Sequence, residues 1–411
     1  MTFVVSHPTG NTFVKALVEE LHKNGILTYF TTTIGFGNQC SAIYSKLKSK
    51  RNYNIPDSKI RRTWYPEIKR LLLKSNQEAN RRAADVSYKS LDEKTANELS
   101  ADSVKVVHGY EDGASQTFRK AKDLGIQCSY ELPIAHWATT RRLLAEEAER
   151  YPVWEPTLES TRESEDKLTR KEEELELADR IFCPSQFVFD SIPTEIKLNK
   201  TCKINPFGSP IQRVPPSQNL LIKNKKFKLL FVGSMSQRKG LADLFAAMNQ
   251  MRKEPVELSI IGQPSMPMEF YREHYSDFTY HPPCANDKVS KIMQQHDALI
   301  LPSIVEGRAL VQQEALSCGI PIIVTPNSGG EDLVETGKTG YVVPIRAPEK
   351  IAEAIENLIN IEIDRNETRK MCQEKAKSYS WSTYTKKIID CSLTGNSNIV
   401  QTKDNSSIKI A

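Results

Sequence analysis

Short apolar runs alternate with longer stretches of helical periodicity along most of this chain of 411 residues. The runs are 2–6 (TFVVS), 104–107 (VKVV), 127–132, 181–183, 228–232 (KLLFV), 257–261 (ELSII), 298–301 (ALIL) and 321–324 (PIIV). They lack polar alternation, as expected of strands covered on both faces. Between them, 241–253, 287–295, 309–317 and 347–359 place apolar residues at helical spacing. Strands separated by helices predict βαβ units and parallel sheets, an α/β fold. The rhythm is clearest after residue 227. Residues 206–226 (PFGSPIQRVPPSQNLLIKNKK) are rich in proline, polar and basic residues and read as a linker. Two units follow, 1–205 and 206–375, with a ligand cleft expected between them. The polar end, 393–411, is expected to fray.

Composition narrows the class. Apolar residues at 39% and charged residues at 26% fit a soluble globular protein too long for one ordinary core. No run approaches the ~18–20 apolar residues of a membrane span. The opening MTFVVSHPTGN reads as a first buried strand, not a signal peptide, which points to the cytoplasm. The eight cysteines are scattered without a CxxC pair, so a zinc ribbon or redox motif is not expected. The net charge of +5 is modest and gives no ground for nucleic acid as a partner. Charge is uneven, however. Lys46 to Arg82 holds twelve Lys or Arg against Asp57, Glu67 and Glu78, whereas 155–179 is acidic. Within the basic part, 59–74 (KIRRTWYPEIKRLLLK) mixes cations with Trp64, Tyr65, Ile68 and a leucine triplet. Two readings arise: a helix with one buried and one solvated face, which is the commoner case, or a contact with anionic lipid.

The chemistry concentrates in 298–344. A strand ends at Pro302, a loop carries Glu306 and Gly307, and a helix runs from about Ala309 to Ser317, stopping at Gly319. Free amides at the helix start, near Arg308, Ala309 and Leu310, suit a diphosphate. Gly307 allows close backbone approach to a ligand. Glu306 can accept hydrogen bonds from sugar hydroxyls, and Glu314, about a turn deeper, can hold a ribose diol. Two glutamates at this spacing occur by chance in many helices. The frame of strand, Pro-Ser, loop Glu-Gly, helix, Gly-x-Pro, strand and Gly329-Gly330 gives them weight. A second segment, 231–241 (FVGSMSQRKGL), runs from a strand through Gly233 to Arg238, Lys239 and Gly240 before a helix. Such cations can neutralise charge on a departing phosphate, though a solvated basic loop is common.

Together these segments resemble glycosyltransferase family 4, whose signature has two glutamates separated by seven residues. The resemblance covers most of 228–381. It implies GT-B architecture: two Rossmann-like domains facing across a cleft, with a terminal helix (376–392, anchored by Trp381) crossing back to the first. It implies that Glu306 contacts the donor sugar, that Glu314 contacts the ribose and that Lys239 is the family lysine. Ser234 stands where the family arginine follows the glycine, and Arg238 is the candidate substitute. By the same resemblance the donor is a nucleotide diphosphate sugar, most often of uridine. The acceptor is a hydroxyl on a saccharide or lipid-linked saccharide, and the anomeric configuration is retained. No metal is expected, since no acidic pair has DxD form.

The first unit is less informative. Its turn His7-Pro8-Thr9-Gly10-Asn11 lacks a dinucleotide fingerprint, and Gly10 is either a close-approach glycine or an ordinary turn glycine. The family often has a histidine after the strand in CSYELPIAHW. His136 is the better match, His108 the runner-up and Glu131 a third possibility. Alternatives to a transferase are a nucleotide-sugar epimerase on the same fold and a non-catalytic nucleotide-sugar-binding protein.

Overall fold

A computed structural model describes residues 2–38, 51–72, 77–158, 163–210, 226–360 and 364–393. Thirteen strands form two sheets in it. The first contains β1 (Phe3–Ser6), β2 (Leu27–Thr32), β3 (Ile60–Arg62), β4 (Val106–Tyr110), β5 (Gln127–Glu131), β6 (Arg180–Cys183) and β7 (Thr201–Ile204), ordered β3-β2-β1-β4-β5-β6-β7. The second contains β8 (Phe227–Val232), β9 (Val256–Ile261), β10 (Phe278–His281), β11 (Ala298–Leu301), β12 (Ile322–Val324) and β13 (Gly340–Val342), ordered β10-β9-β8-β11-β12-β13. Each neighbouring pair is parallel. Every apolar run picked out above falls on a strand. The strands the pattern missed, β2, β3, β7, β10 and β13, lie toward the sheet edges or carry polar residues (LTYFTT, IRR, TCKI, FTYH, GYV).

Both sheets reverse direction beside their first strand, between β1 and β4 and between β8 and β11. At such a switch point the loops leaving the two strands diverge and open a crevice at the carboxyl ends. The sequence therefore delivers 7–10 and 111–114 to one crevice, and 233–240 and 302–309 to the other.

The chain crosses between the two halves more than once. The helix Trp381–Leu393 joins the core of the first sheet, with Tyr384, Ile388 and Ile389 packed among Phe3, Val5, Phe13 and Phe207. Tyr384 is the fully buried anchor, whereas Trp381 is half-buried and stacks on Phe207 at 6.5 Å. Sequence reading missed the opposite crossing. After the helix Trp137–Arg150, a 3-10 turn at Pro152–Thr157 carries Trp154 into the core of the second sheet. There it meets Phe245, Phe270, Tyr271 and His274 with ring centroids 4.9–6.0 Å away.

The expected single helix over 59–74 is corrected. Ile60–Arg62 pairs as edge strand β3, and a shorter helix follows at Trp64–Leu72. Its inward face is polar. Glu67 is buried against Arg51 and Arg70, each at 2.7 Å, while Trp64, Tyr65, Ile68, Leu71 and Leu72 point to solvent. The guanidinium pair wins the inside position because a buried carboxylate must be matched by charge. Most of the expected linker (211–225) and all of the tail but Leu393 lie outside the described residues.

Candidate functional site

The loop after β8 makes one 3-10 turn, Gln237–Lys239, and ends at Gly240 in the left-handed region (φ 71°). A Cβ at Gly240 would sit 2.0 Å from the Pro302 carbonyl oxygen, so only glycine lets this loop pass the end of β11. Backbone bonds tie the two loops together: Ile304 N–H donates to the Arg238 carbonyl at 2.9 Å. The turn thereby sets two cations beside one carboxylate. Arg238 Nη1 donates to Glu306 Oε2 at 3.1 Å and to the Val305 carbonyl at 3.0 Å. Lys239 Nζ donates to the same Glu306 oxygen. Gly233 lies against the Lys239 stem, where a Cβ would stand 3.6 Å from Cε.

Burial alone would raise the Glu306 carboxyl; Lys239 and Arg238 outweigh it and pull it down to about 2. Burial lowers Lys239 from its ordinary value, and Glu306 only partly restores it. The trio carries two positive charges and one negative, leaving one net positive charge in a half-buried setting. An anion pairs with that charge more strongly there than in bulk water.

The helix after β11 runs Leu310–Ser317, with Ala309 as its N-cap and no side-chain cap. Its C-terminus closes as expected, with Gly319 at φ 80°. Glu314 is half-buried and makes no side-chain hydrogen bond among the described residues; burial raises its carboxyl. Arg308 differs from expectation. Its guanidinium turns inward, donating to Gln313 Oε1 (3.1 Å), the Gly329 carbonyl (3.0 Å) and Asp332 (2.7 Å), and stacks on Tyr379 at 4.8 Å. Its side chain braces the loop, the Ala309 N–H donates to the Ser328 carbonyl at 3.4 Å, and the helix-start amide of Leu310 is what remains for a ligand. Gly307 is also explained by protein contacts. A Cβ there would strike the Pro133 carbonyl at 1.7 Å, and Ser185 Oγ donates to the Gly307 carbonyl at 2.7 Å. The Glu306–Gly307 loop thus abuts the β5 loop of the first half.

That β5 loop carries His136, the N-cap of Trp137–Arg150. Ala138 N–H donates to its Nδ1 at 3.4 Å, and Nε2 lies 3.1 Å from Glu172. Nε2 therefore holds the proton of the neutral ring. Burial lowers its pKa, with Glu172 opposing. The other candidates lie in the interior. His108 is fully buried in β4, bonded to Ser129 at 2.8 Å, and burial pushes it down to about 3. Glu131 is fully buried in β5, accepts from Tyr384 at 3.1 Å, and is pushed up to about 8. Gly10 lies half-buried in the β1 turn, before the helix Thr12–Lys23. His7, unweighed in the sequence, is buried at the same turn, bonded to the Thr9 carbonyl at 2.7 Å and lowered by burial to about 4.

Two parallel sheets with switch-point crevices, linked by crossing segments, define an α/β protein of GT-B architecture. Residues 216–379 match the family described as glycosyl transferases group 1. A D-inositol 3-phosphate glycosyltransferase of Paenarthrobacter aurescens is 26% identical over 171 residues, covering 39% of this chain and 42% of the relative. An uncharacterized glycosyltransferase of Methanocaldococcus jannaschii is 23% identical over 184 residues, covering 41% and 45%. The chain thus spans less than half the length of these curated relatives. Sucrose-phosphate synthase from Thermosynechococcus elongatus superposes with a TM-score of 0.66 at 17% identity, over 95% of this chain and 97% of that one. HepE of Anabaena, solved in complex with UDP, superposes with a TM-score of 0.63 at 13% identity, over 95% and 99%.

Proposed function

We propose that this protein transfers a glycosyl group from a nucleoside diphosphate sugar, that of uridine, to a saccharide or lipid-linked hydroxyl, with retention of configuration. One observation carries the reading: Glu306 is shared by Arg238 and Lys239 at the switch point of the second sheet. The diphosphate takes over the two cations and the helix-start amide of Leu310. Glu306, released from them, accepts hydrogen bonds from the donor sugar, and Glu314 accepts from the ribose hydroxyls. The bond from the anomeric carbon to the β-phosphate oxygen breaks as the acceptor oxygen bonds to that carbon on the same face. The acceptor proton passes to the departing phosphate. Arg238 and Lys239 stabilise the charge that grows there, which is the costly part of the step. The UDP complex of HepE supports the choice of nucleotide. The test is UDP release from a panel of UDP-sugars, with and without saccharide acceptors. Release by the wild type and its loss in Glu306→Ala are expected; nucleotide binding without release under any acceptor would leave a binding protein.

The outward apolar face of Trp64–Leu72 favours a membrane-associated acceptor. Tyr65 and Leu72 are each 77% exposed and Trp64 62%, with Lys69 on the same helix. Aromatic and leucine side chains beside cations suit the interface of an anionic bilayer. No helix among the described residues is long and apolar enough to cross a membrane. We therefore propose peripheral contact from the cytoplasmic side. Flotation with phosphatidylglycerol vesicles at low salt should capture the wild type and release Trp64→Ser/Leu72→Ser. Equal flotation of both proteins, or none, would remove the membrane from the account.

A further inference from the structure

Gln237 immediately precedes the Arg238–Lys239 pair, and it is fully buried. Each polar group of its side chain is engaged. Nε2 donates to Glu147 at 2.6 Å and to Asp243 at 2.8 Å, and Oε1 accepts from the Ala242 N–H at 2.9 Å. Its backbone N–H donates to Thr157 Oγ1 at 3.1 Å. Two of these partners, Glu147 and Thr157, belong to the segment that crosses from the first half and buries Trp154.

The carboxylates are themselves compensated. Arg346 donates to Glu147, and Arg150 pairs with Asp243 at 2.7 Å while standing 3.6 Å from Glu147. Arg346 also pairs with Glu146 at 2.7 Å, which Arg142 matches at 2.8 Å, so three acids and three guanidinium groups surround one neutral amide. Charge balance therefore leaves position 237 to a neutral residue, and bridging two carboxylates with N–H donors while accepting from Ala242 requires an amide. Arg346 takes up its place in the left-handed region (φ 63°), which side-chain-bearing residues seldom occupy.

The turn 237–239 is short and closes with few bonds of its own, Lys239 N–H to the Ser236 carbonyl and Gly240 N–H to the Gln237 carbonyl. It is anchored at Arg238 by Ile304 and at Gln237 by this network. We propose that Gln237, clamped by Glu147 and Thr157, is a positioning residue that aims Arg238 and Lys239 at the nucleotide phosphates. The first half of the chain thereby sets the geometry of a donor site built on the second. This rests on the donor-site reading above.

Calorimetric titration with UDP, ADP and GDP selects the tightest-binding nucleotide for a double-mutant cycle. Gln237→Ala should weaken it about tenfold in the wild-type background and less than twofold once Arg238 and Lys239 are both alanine. A residue that merely supports the fold would weaken binding equally in both backgrounds, and that result overturns the proposal, as does unchanged affinity. Should Gln237→Ala not fold, Thr157→Val removes the hydroxyl that accepts from Gln237 and donates to the Trp154 carbonyl at 2.7 Å, and should weaken binding about threefold, again only while the cations are present. If Arg238→Ala/Lys239→Ala binds nucleotide as the wild type does, the donor-site reading itself fails. If that variant loses affinity while Gln237→Ala and Thr157→Val do not, only the positioning role fails.

Discussion

The two switch-point crevices handle ionisable groups in opposite ways. At the second sheet, the buried Lys239 and the half-buried Glu306 and Arg238 are held as charges and satisfied by one another. At the first, His7, His108 and Glu131 are buried as neutral groups: His7 and His108 are pushed down to about 4 and 3, and Glu131 up to about 8. Desolvation acts on all of them, and the presence of a counter-charge decides the outcome. A charged, paired site can exchange a partner for an anionic ligand, whereas a neutral interior cluster supports the sheet and offers a ligand no charge.

The largest break in this comparison comes from Lys239→Ala. Removing the cation should lower turnover of the nucleotide sugar about 100-fold or more, a typical cost of losing one preorganised group at a developing charge. Steady-state kinetics with UDP release as readout checks this, and a loss below threefold would place the charge stabilisation elsewhere. Glu314→Ala should come next, raising the donor Kd about tenfold, or ~1.4 kcal/mol, with turnover at saturation nearly unchanged. A fall in kcat with unchanged affinity would give Glu314 a different role.

The same site predicts a pH dependence. Lys239 is lowered by burial, so nucleotide affinity should fall as pH rises through its displaced pKa, below the ordinary 10.5. Glu306, held near 2, stays ionised throughout the working range and adds no acidic limb of its own. Titrations from pH 6 to 10 test this; an affinity flat across that range, or one identical in slope for Lys239→Ala, would deny the lysine its part.

The smallest effect belongs to the neutral crevice. Glu131 is raised from 4.5 to about 8, so the folded state binds the proton more tightly than the unfolded chain. That contribution is complete below about 4.5 and is lost as pH rises to about 8. Glu131→Gln mimics the protonated acid and should gain Tm over the wild type progressively across this window. Parallel Tm curves would mean that Glu131 is charged in the fold and that the contrast between crevices is wrong.

The sequence made the second half far more legible than the first. There the four inner strands β9, β8, β11 and β12 are largely apolar runs, and the chemistry sits in one linear stretch, 298–319, so that Glu306 and Glu314 declare themselves by local frame. The edge strand β3 escaped because IRR carries charge where an edge tolerates it. The inverted helix Trp64–Leu72 escaped because amphipathic spacing does not say which face turns inward; the buried Glu67–Arg51–Arg70 cluster decides that, and Arg51 is remote in sequence. His108 read as standing at a strand end, where ligands commonly bind, but β4 runs on to Tyr110 and buries it, and Glu131, at the end of β5, is covered by Tyr384 of the returning helix. Arg308 read as a phosphate ligand by position until Asp332 and the Gly329 carbonyl, more than twenty residues on, claimed it. Gln237 carried no signal at all, since its partners Glu147 and Thr157 lie some ninety and eighty residues away.

The central claim is that the crevice between β8 and β11 binds the donor through Lys239, Arg238, Glu306 and Glu314. A crystal structure of the protein with UDP tests it most directly. The account predicts diphosphate oxygens within hydrogen-bond distance of Lys239, Arg238 and the Leu310 amide, with the ribose hydroxyls on Glu314 and Glu306 freed from Lys239. A nucleotide bound elsewhere, with the Glu306–Lys239 pair unbroken and Glu314 uncontacted, would contradict it.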